Sequence, residues 1–111
     1  MSIKENVPMV DNDRDLCDLL KTEDRVIALF YASWCPFCVR ILPLFKTCAE
    51  EGRGVFLLVA DDGETMADQY HVKVYPTVIY FEKGVISRRL DGALGMGLQE
   101  KQITDFIKAC S

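Results

Sequence analysis

Two short stretches, VIALFYA (Val26–Ala32) and VFLLVA (Val55–Ala60), constrain this chain more than any other feature. Each is apolar on both alternating sets of positions, a pattern that suits strands covered on both faces and therefore central in a sheet. Between them, residues 36–51 switch to the helical period. Cys38, Ile41, Leu42, Phe45, Cys48 and Ala49 form one stripe, while Arg40, Lys46, Glu50 and Glu51 lie elsewhere. Gly52 and Gly54 are expected to end that helix. A buried strand, a crossover helix and a second buried strand make a βαβ unit with parallel strands.

The flanking segments extend this unit. Asn12 or Asp13 can cap a helix over 13–21, with Leu16, Leu19 and Leu20 at helical spacing. Asp61, Asp62 and Gly63 predict a turn before a short helix over 64–70. TVIYF (Thr77–Phe81) and VISRRL (Val85–Leu90) flank Lys83-Gly84, the mark of a hairpin. Ser87, Arg88 and Arg89 make the second of these an exposed edge strand. A last helix over 98–109 places Ile103, Phe106, Ile107 and Cys110 on one face. The expected fold class is α/β, with a central mixed sheet and helices on both faces. Residues 1–111 form one domain, with 1–11 a less ordered N-terminal segment.

Composition narrows the function. A chain of 111 residues, half of them hydrophobic, supports one core. Its formal net charge of −4 argues against nucleic acid and anionic membranes as partners. No apolar run approaches a bilayer span, and MSIKENVPMV lacks the apolar block of a secretory signal. The cysteines number five, Cys17, Cys35, Cys38, Cys48 and Cys110, with one close pair. That usage fits a cytoplasmic protein rather than a disulfide-framed secreted scaffold.

The close pair lies in Ser33-Trp34-Cys35-Pro36-Phe37-Cys38, where a buried strand gives way to a helix. Cys35 thus occupies a helix N-terminus, whose unpaired N–H groups and macrodipole favour an anion such as a thiolate. Pro36 fits the first turn because its missing N–H would have had no partner there. Cys38, on the inward stripe, is expected to be the buried sulfur and Cys35 the accessible one. Cys35 then serves as nucleophile and Cys38 as the resolving thiol of a mixed disulfide. The competing readings are half of a zinc site and a pair of structural thiols. Against zinc, no second C-x-x-C exists and His71 is the only histidine.

These residues resemble the thioredoxin family from about residue 13 to 110. The matching positions are Phe30, Ala32, Trp34, Cys35, Cys38, Pro43, Asp61, Tyr70, Pro76-Thr77, Phe81, Gly84 and Gly92-Ala93. The resemblance implies the thioredoxin fold and a protein-disulfide reductase without cofactor or metal. It implies disulfide-bonded protein substrates and a thioredoxin-reductase-like donor, while size and charge make a monomer the default. It also implies a cis Tyr75–Pro76 bond facing the cysteine pair, and a substrate groove formed by Trp34, Pro36, Phe37, Tyr75, Pro76, Gly92 and Ala93.

Departures from the family pattern matter too. A buried aspartate common in the family is Leu29 here, and a lysine commonly paired with it is Leu57. Cys38 is therefore expected to titrate high, by desolvation, with no carboxylate beside it. Pro36-Phe37 replaces the common Gly-Pro and is similar to the Pro-aromatic pair of glutaredoxins. That points to a more oxidising potential than a standard thioredoxin, and to a glutathione-coupled oxidoreductase as the alternative. A non-catalytic binding module is the third class. Cys48 is expected to be a buried inert thiol and His71 to end a helix, while Cys17 and Cys110 sit in terminal helices, where exposure and oxidation are the lesser reading. Asp61, Asp62, Asp11–Asp15 and Arg88-Arg89 are expected to be solvated.

Overall fold

A computed structural model describes residues 7–51 and 55–110. In chain order it contains β1 (Met9–Val10), α1 (Asp13–Thr22), β2 (Arg25–Tyr31), α2 (Pro36–Glu51), β3 (Val55–Ala60), α3 (Thr65–Tyr70), β4 (Thr77–Glu82), β5 (Val85–Leu90) and α4 (Glu100–Ala109). The sheet order is β1-β3-β2-β4-β5. β3 runs parallel to both β1 and β2, whereas β4 is antiparallel to β2 and β5. This is the mixed sheet expected, with the two apolar stretches at its centre.

Burial explains that order. Every residue of β2 from Val26 to Tyr31 is buried, on both faces of the strand. One face is sealed by Tyr70 of α3, whose ring packs 5.6 Å from Phe30 and 5.7 Å from Phe81. The other is sealed by Phe45 of α2, which meets Phe56 of β3 at 5.6 Å. Helices therefore cover both faces. β5, with its first four residues exposed, takes the edge.

Local chemistry sets the boundaries. Asn12, rather than Asp13, caps α1: its side-chain oxygen accepts the Asp15 N–H at 2.8 Å. Lys83 and Gly84 both have positive φ, 53° and 80°, as a two-residue primed hairpin turn requires. α2 continues through Pro43. Gly52 and Gly54, expected to terminate α2, lie outside the described residues, as do residues 1–6.

The N-terminal segment requires a correction. Met9 and Val10 form an edge strand, paired with Leu58 and Val59, and Val10 is buried. A two-residue strand has no periodicity to read, so only its partner reveals it.

At one end of the sheet, four chain segments converge. β2 and β3 end there, the loop before β4 returns there, and β5 delivers Gly92 to the same place. In open α/β sheets such an end, outside the carboxyl termini of parallel strands, is where sites form.

Candidate active site

Cys35 sits in the turn from β2 into α2. Its N–H donates to the Ala32 carbonyl at 3.2 Å, and its own carbonyl accepts the Cys38 and Val39 N–H groups. The Cys38 N–H also points at Cys35 Sγ, at 3.3 Å, the contact a helix N-terminus offers an anionic sulfur. On its other side the Cys35 thiol donates to the Tyr75 carbonyl at 3.7 Å.

Cys38 is fully buried, and Cys35 retains only 5% exposure. Cys38 is buried as expected, but Cys35, expected to be the accessible sulfur, is buried as well, with its thiol held against the Tyr75 carbonyl. Burial pushes the Cys38 thiol up to about 12, and the hydrogen bond to Cys35 adds to the rise. No carboxylate contributes among its causes, in keeping with fully buried leucines at 29 and 57.

Two aspartates after β3 hold the walls, and the solvated reading fails for Asp61 but holds for Asp62. Asp62 is exposed but engaged. Its carboxylate accepts the Ser33 N–H at 2.7 Å and the Ser33 hydroxyl at 2.5 Å, which holds it below the ordinary carboxyl range. Its carbonyl accepts the Trp34 indole N–H at 3.1 Å.

Asp61 is buried at 2% exposure. Its carboxylate accepts from Met66 N, Thr65 Oγ1, Ala67 N and the Tyr75 hydroxyl. Burial alone would raise this carboxyl, but the bonds from Met66, Tyr75, Ala67 and Thr65 outweigh it, and the net is lowered. The Tyr75 hydroxyl moves the other way, raised first by burial and then by its bond to Asp61, so it stays a donor.

The Tyr75–Pro76 bond is cis. Gly92 packs so closely under it that a Cβ there would overlap the Pro76 carbonyl oxygen. Thr77 Oγ1 donates to Val74 at 2.7 Å and accepts the Gly92 N–H at 3.4 Å, tying β5 to the loop. Trp34, 57% exposed, stands edge-on to Tyr75 with ring centroids 5.8 Å apart.

Trp34, Cys35, Pro36, Phe37 and Tyr75 line one cleft of about 290 Å³. Pro76 is buried and does not line that cleft, and Gly92 lines another depression. Ala93 starts a tight turn closed by its pairing with Gly97. The sequence reading missed Leu94 (87% exposed), Glu64 and Gly95, which also line the cleft. Gly97 has φ +68°, and a Cβ on it would collide with Phe37. The glycines of GALGMG carried that information, but only contact with Phe37 gives it meaning.

Cys48 departs from expectation in being only half-buried, as is Cys17, whereas Cys110 is buried. Arg89 is not a free surface charge: it donates to the Tyr70 and His71 carbonyls and pairs with Asp91 at 2.8 Å. His71 does end α3, in the left-handed conformation. Among the described residues, no group of three or more His, Cys, Asp or Glu is placed to hold a metal.

This geometry agrees with comparisons to known proteins. The thioredoxin family model matches residues 7–109. The chain belongs to the thioredoxin family. It is 40% identical over 110 residues to protein disulfide-isomerase A5 of Bos taurus, matching 94% of this chain and 20% of that protein. The chain thus spans about a fifth of the length of these isomerase relatives. It is 29% identical over 102 residues to thioredoxin-1 of Caenorhabditis elegans, covering 90% of this chain and 89% of that one. Among solved structures, reduced thioredoxin of Schistosoma mansoni superposes with a TM-score of 0.82 at 28% identity, over 96% of this chain and 99% of that one. Protein disulfide-isomerases and thioredoxins thus both stand among the relatives that share this family.

Proposed function

We propose that the protein reduces disulfides in other proteins through a Cys35/Cys38 dithiol cycle. The supporting observation is the pair itself: Cys35 lines a cleft, and Cys38, whose N–H points at the Cys35 sulfur, is fully buried. The Cys35 thiolate attacks one sulfur of a substrate disulfide. The substrate S–S bond breaks, a Cys35–substrate disulfide forms, and the other substrate sulfur leaves as a thiolate that takes up a proton. Cys38 then loses its proton and attacks Cys35 Sγ. The second substrate thiol departs, and the protein keeps a Cys35–Cys38 disulfide. The substrate gains two electrons and the protein loses two.

Trp34, Pro36, Phe37, Tyr75, Pro76, Gly92 and Ala93 form the substrate-contacting rim in this reading. An extended substrate segment would pair with the main chain before Pro76 by strand addition. A thioredoxin-reductase-like flavoprotein returns the electrons, and the protein works as a monomer in the cytoplasm. The odd cysteine count with one close pair supports a reducing compartment. Turnover of a disulfide-bonded protein, run in parallel with reductase plus NADPH and with glutathione, tests the reading. Turnover with glutathione alone favours the glutaredoxin-like alternative suggested by Pro36-Phe37, and no turnover with either favours a binding module.

The identity to protein disulfide-isomerase A5 favours a second reading, net oxidation or isomerisation. The Pro36-Phe37 pair, expected to make the potential more oxidising, points the same way. A reduction potential at or below that of a standard thioredoxin removes that reading.

A further inference from the structure

Tyr75 combines three contacts around the site. Its hydroxyl donates to Asp61 Oδ2 at 2.8 Å and lies 3.2 Å from the Asp61 carbonyl. Its ring meets Trp34 edge-on at 5.8 Å. Its main-chain carbonyl receives the Cys35 thiol at 3.7 Å. Asp61 is a firm anchor, because it is buried and takes N–H groups from the first turn of α3 while its own N–H donates to Tyr31 at 2.8 Å. A phenol is long enough to carry that anchorage from the end of β3 across to the loop before β4.

We propose that Tyr75 is a positioning residue for disulfide exchange, its hydroxyl pinned on Asp61 so that its carbonyl is fixed against Cys35 and its ring against Trp34. The inference rests on the exchange reading above. The physical reason is the narrow geometry of the reaction: attack on a disulfide needs the sulfurs in line, and a displacement of about 1 Å can cost about 100-fold in rate. A loop tied only at its ends, through Thr77, Val74 and Gly92, leaves the residue facing Cys35 free to shift. The Asp61–Tyr75 bond removes that freedom.

The test uses Tyr75→Phe, which deletes one oxygen and keeps the ring. Two readouts decide it: the rate at which the reduced protein opens a disulfide-bonded peptide, and the emission of Trp34, the only tryptophan in the chain. The expected result is a folded protein whose exchange is about tenfold slower and whose Trp34 emission is altered. Asp61→Asn and the double variant complete a cycle: if the two groups act through one bond, the double variant is no slower than the worse single one. Wild-type exchange or unchanged emission in Tyr75→Phe overturns the proposal, and so do additive losses in the cycle. Should Asp61→Asn fail to fold, Tyr75→Phe alone decides. An inactive wild-type protein instead overturns the exchange reading itself.

Discussion

Cys38 offers the sharpest prediction, because its burial should limit one chemical step. Its thiol is held at about 12 rather than 9.0, first by desolvation and then by its hydrogen bond to Cys35. In the mixed disulfide Cys35 is no longer a thiol, so its share of the rise is lost and the desolvation of Cys38 persists. A thiol at about 12 is ionised about once in 10⁵ at pH 7, against about once in 10² for one at 9.0. The thiolate is the attacking species, so the closing step loses at most about 1,000-fold in population. A more basic sulfur is also a better nucleophile, and a Brønsted slope of about 0.4–0.5 returns about 15- to 30-fold. The net handicap at neutral pH therefore reaches at most roughly 30- to 60-fold. It should relax tenfold for each unit of rising pH. The assay charges Cys35 with a chromogenic aryl thiol and follows its release by stopped-flow absorbance from pH 7 to 10. The expected plot of log rate against pH has unit slope throughout, and Cys38→Ser abolishes the release. A plateau near pH 8 would mean that Cys38 ionises readily and that the reasoning from desolvation is wrong.

Three further predictions concern the frame of the site. Gly92→Ala places a Cβ against the Pro76 carbonyl, a main-chain atom with little room to yield; a loss of about 1–3 kcal/mol is expected by thermal melt, and an unchanged Tm contradicts the close approach. Phe45→Ala removes a fully buried ring that packs on Phe56, with an expected cost of about 3–5 kcal/mol in denaturant unfolding. Asp61 makes stability pH-dependent, because its native carboxyl is lowered below 3.8. The unfolded chain binds more protons in that window, so stability present above about pH 4 is lost as the pH falls further. Asp61→Asn should flatten that acid limb, and an unaltered limb in equilibrium unfolding counts against the buried carboxylate.

Long periodic segments were legible because their burial is dictated by side-chain spacing. Val26–Ala32 and Val55–Ala60 announced central strands since both alternating sets are apolar, and both faces of the sheet are in fact covered. The stripe through Cys38, Ile41 and Phe45 aimed one sulfur inward for the same reason, and all three are buried. Met9–Val10 escaped because two residues carry no period. Cys110 shares the apolar face with Ile103, and the burial left open by its place near the chain end is settled by packing: it is buried.

By itself the sequence determined the strand–helix–strand core, the junction where Cys35 precedes α2, and the apolar side chain at Leu29. All three are local in the chain, written in alternation, helical period and residue identity. The tertiary structure alone decided that Asp61 is buried and bound to Tyr75, that Asp62 holds Ser33 and Trp34, and that Gly97 sits against Phe37. Each of those contacts joins segments separated in the chain. A polar side chain in a turn looks solvated until a distant donor arrives to replace its water.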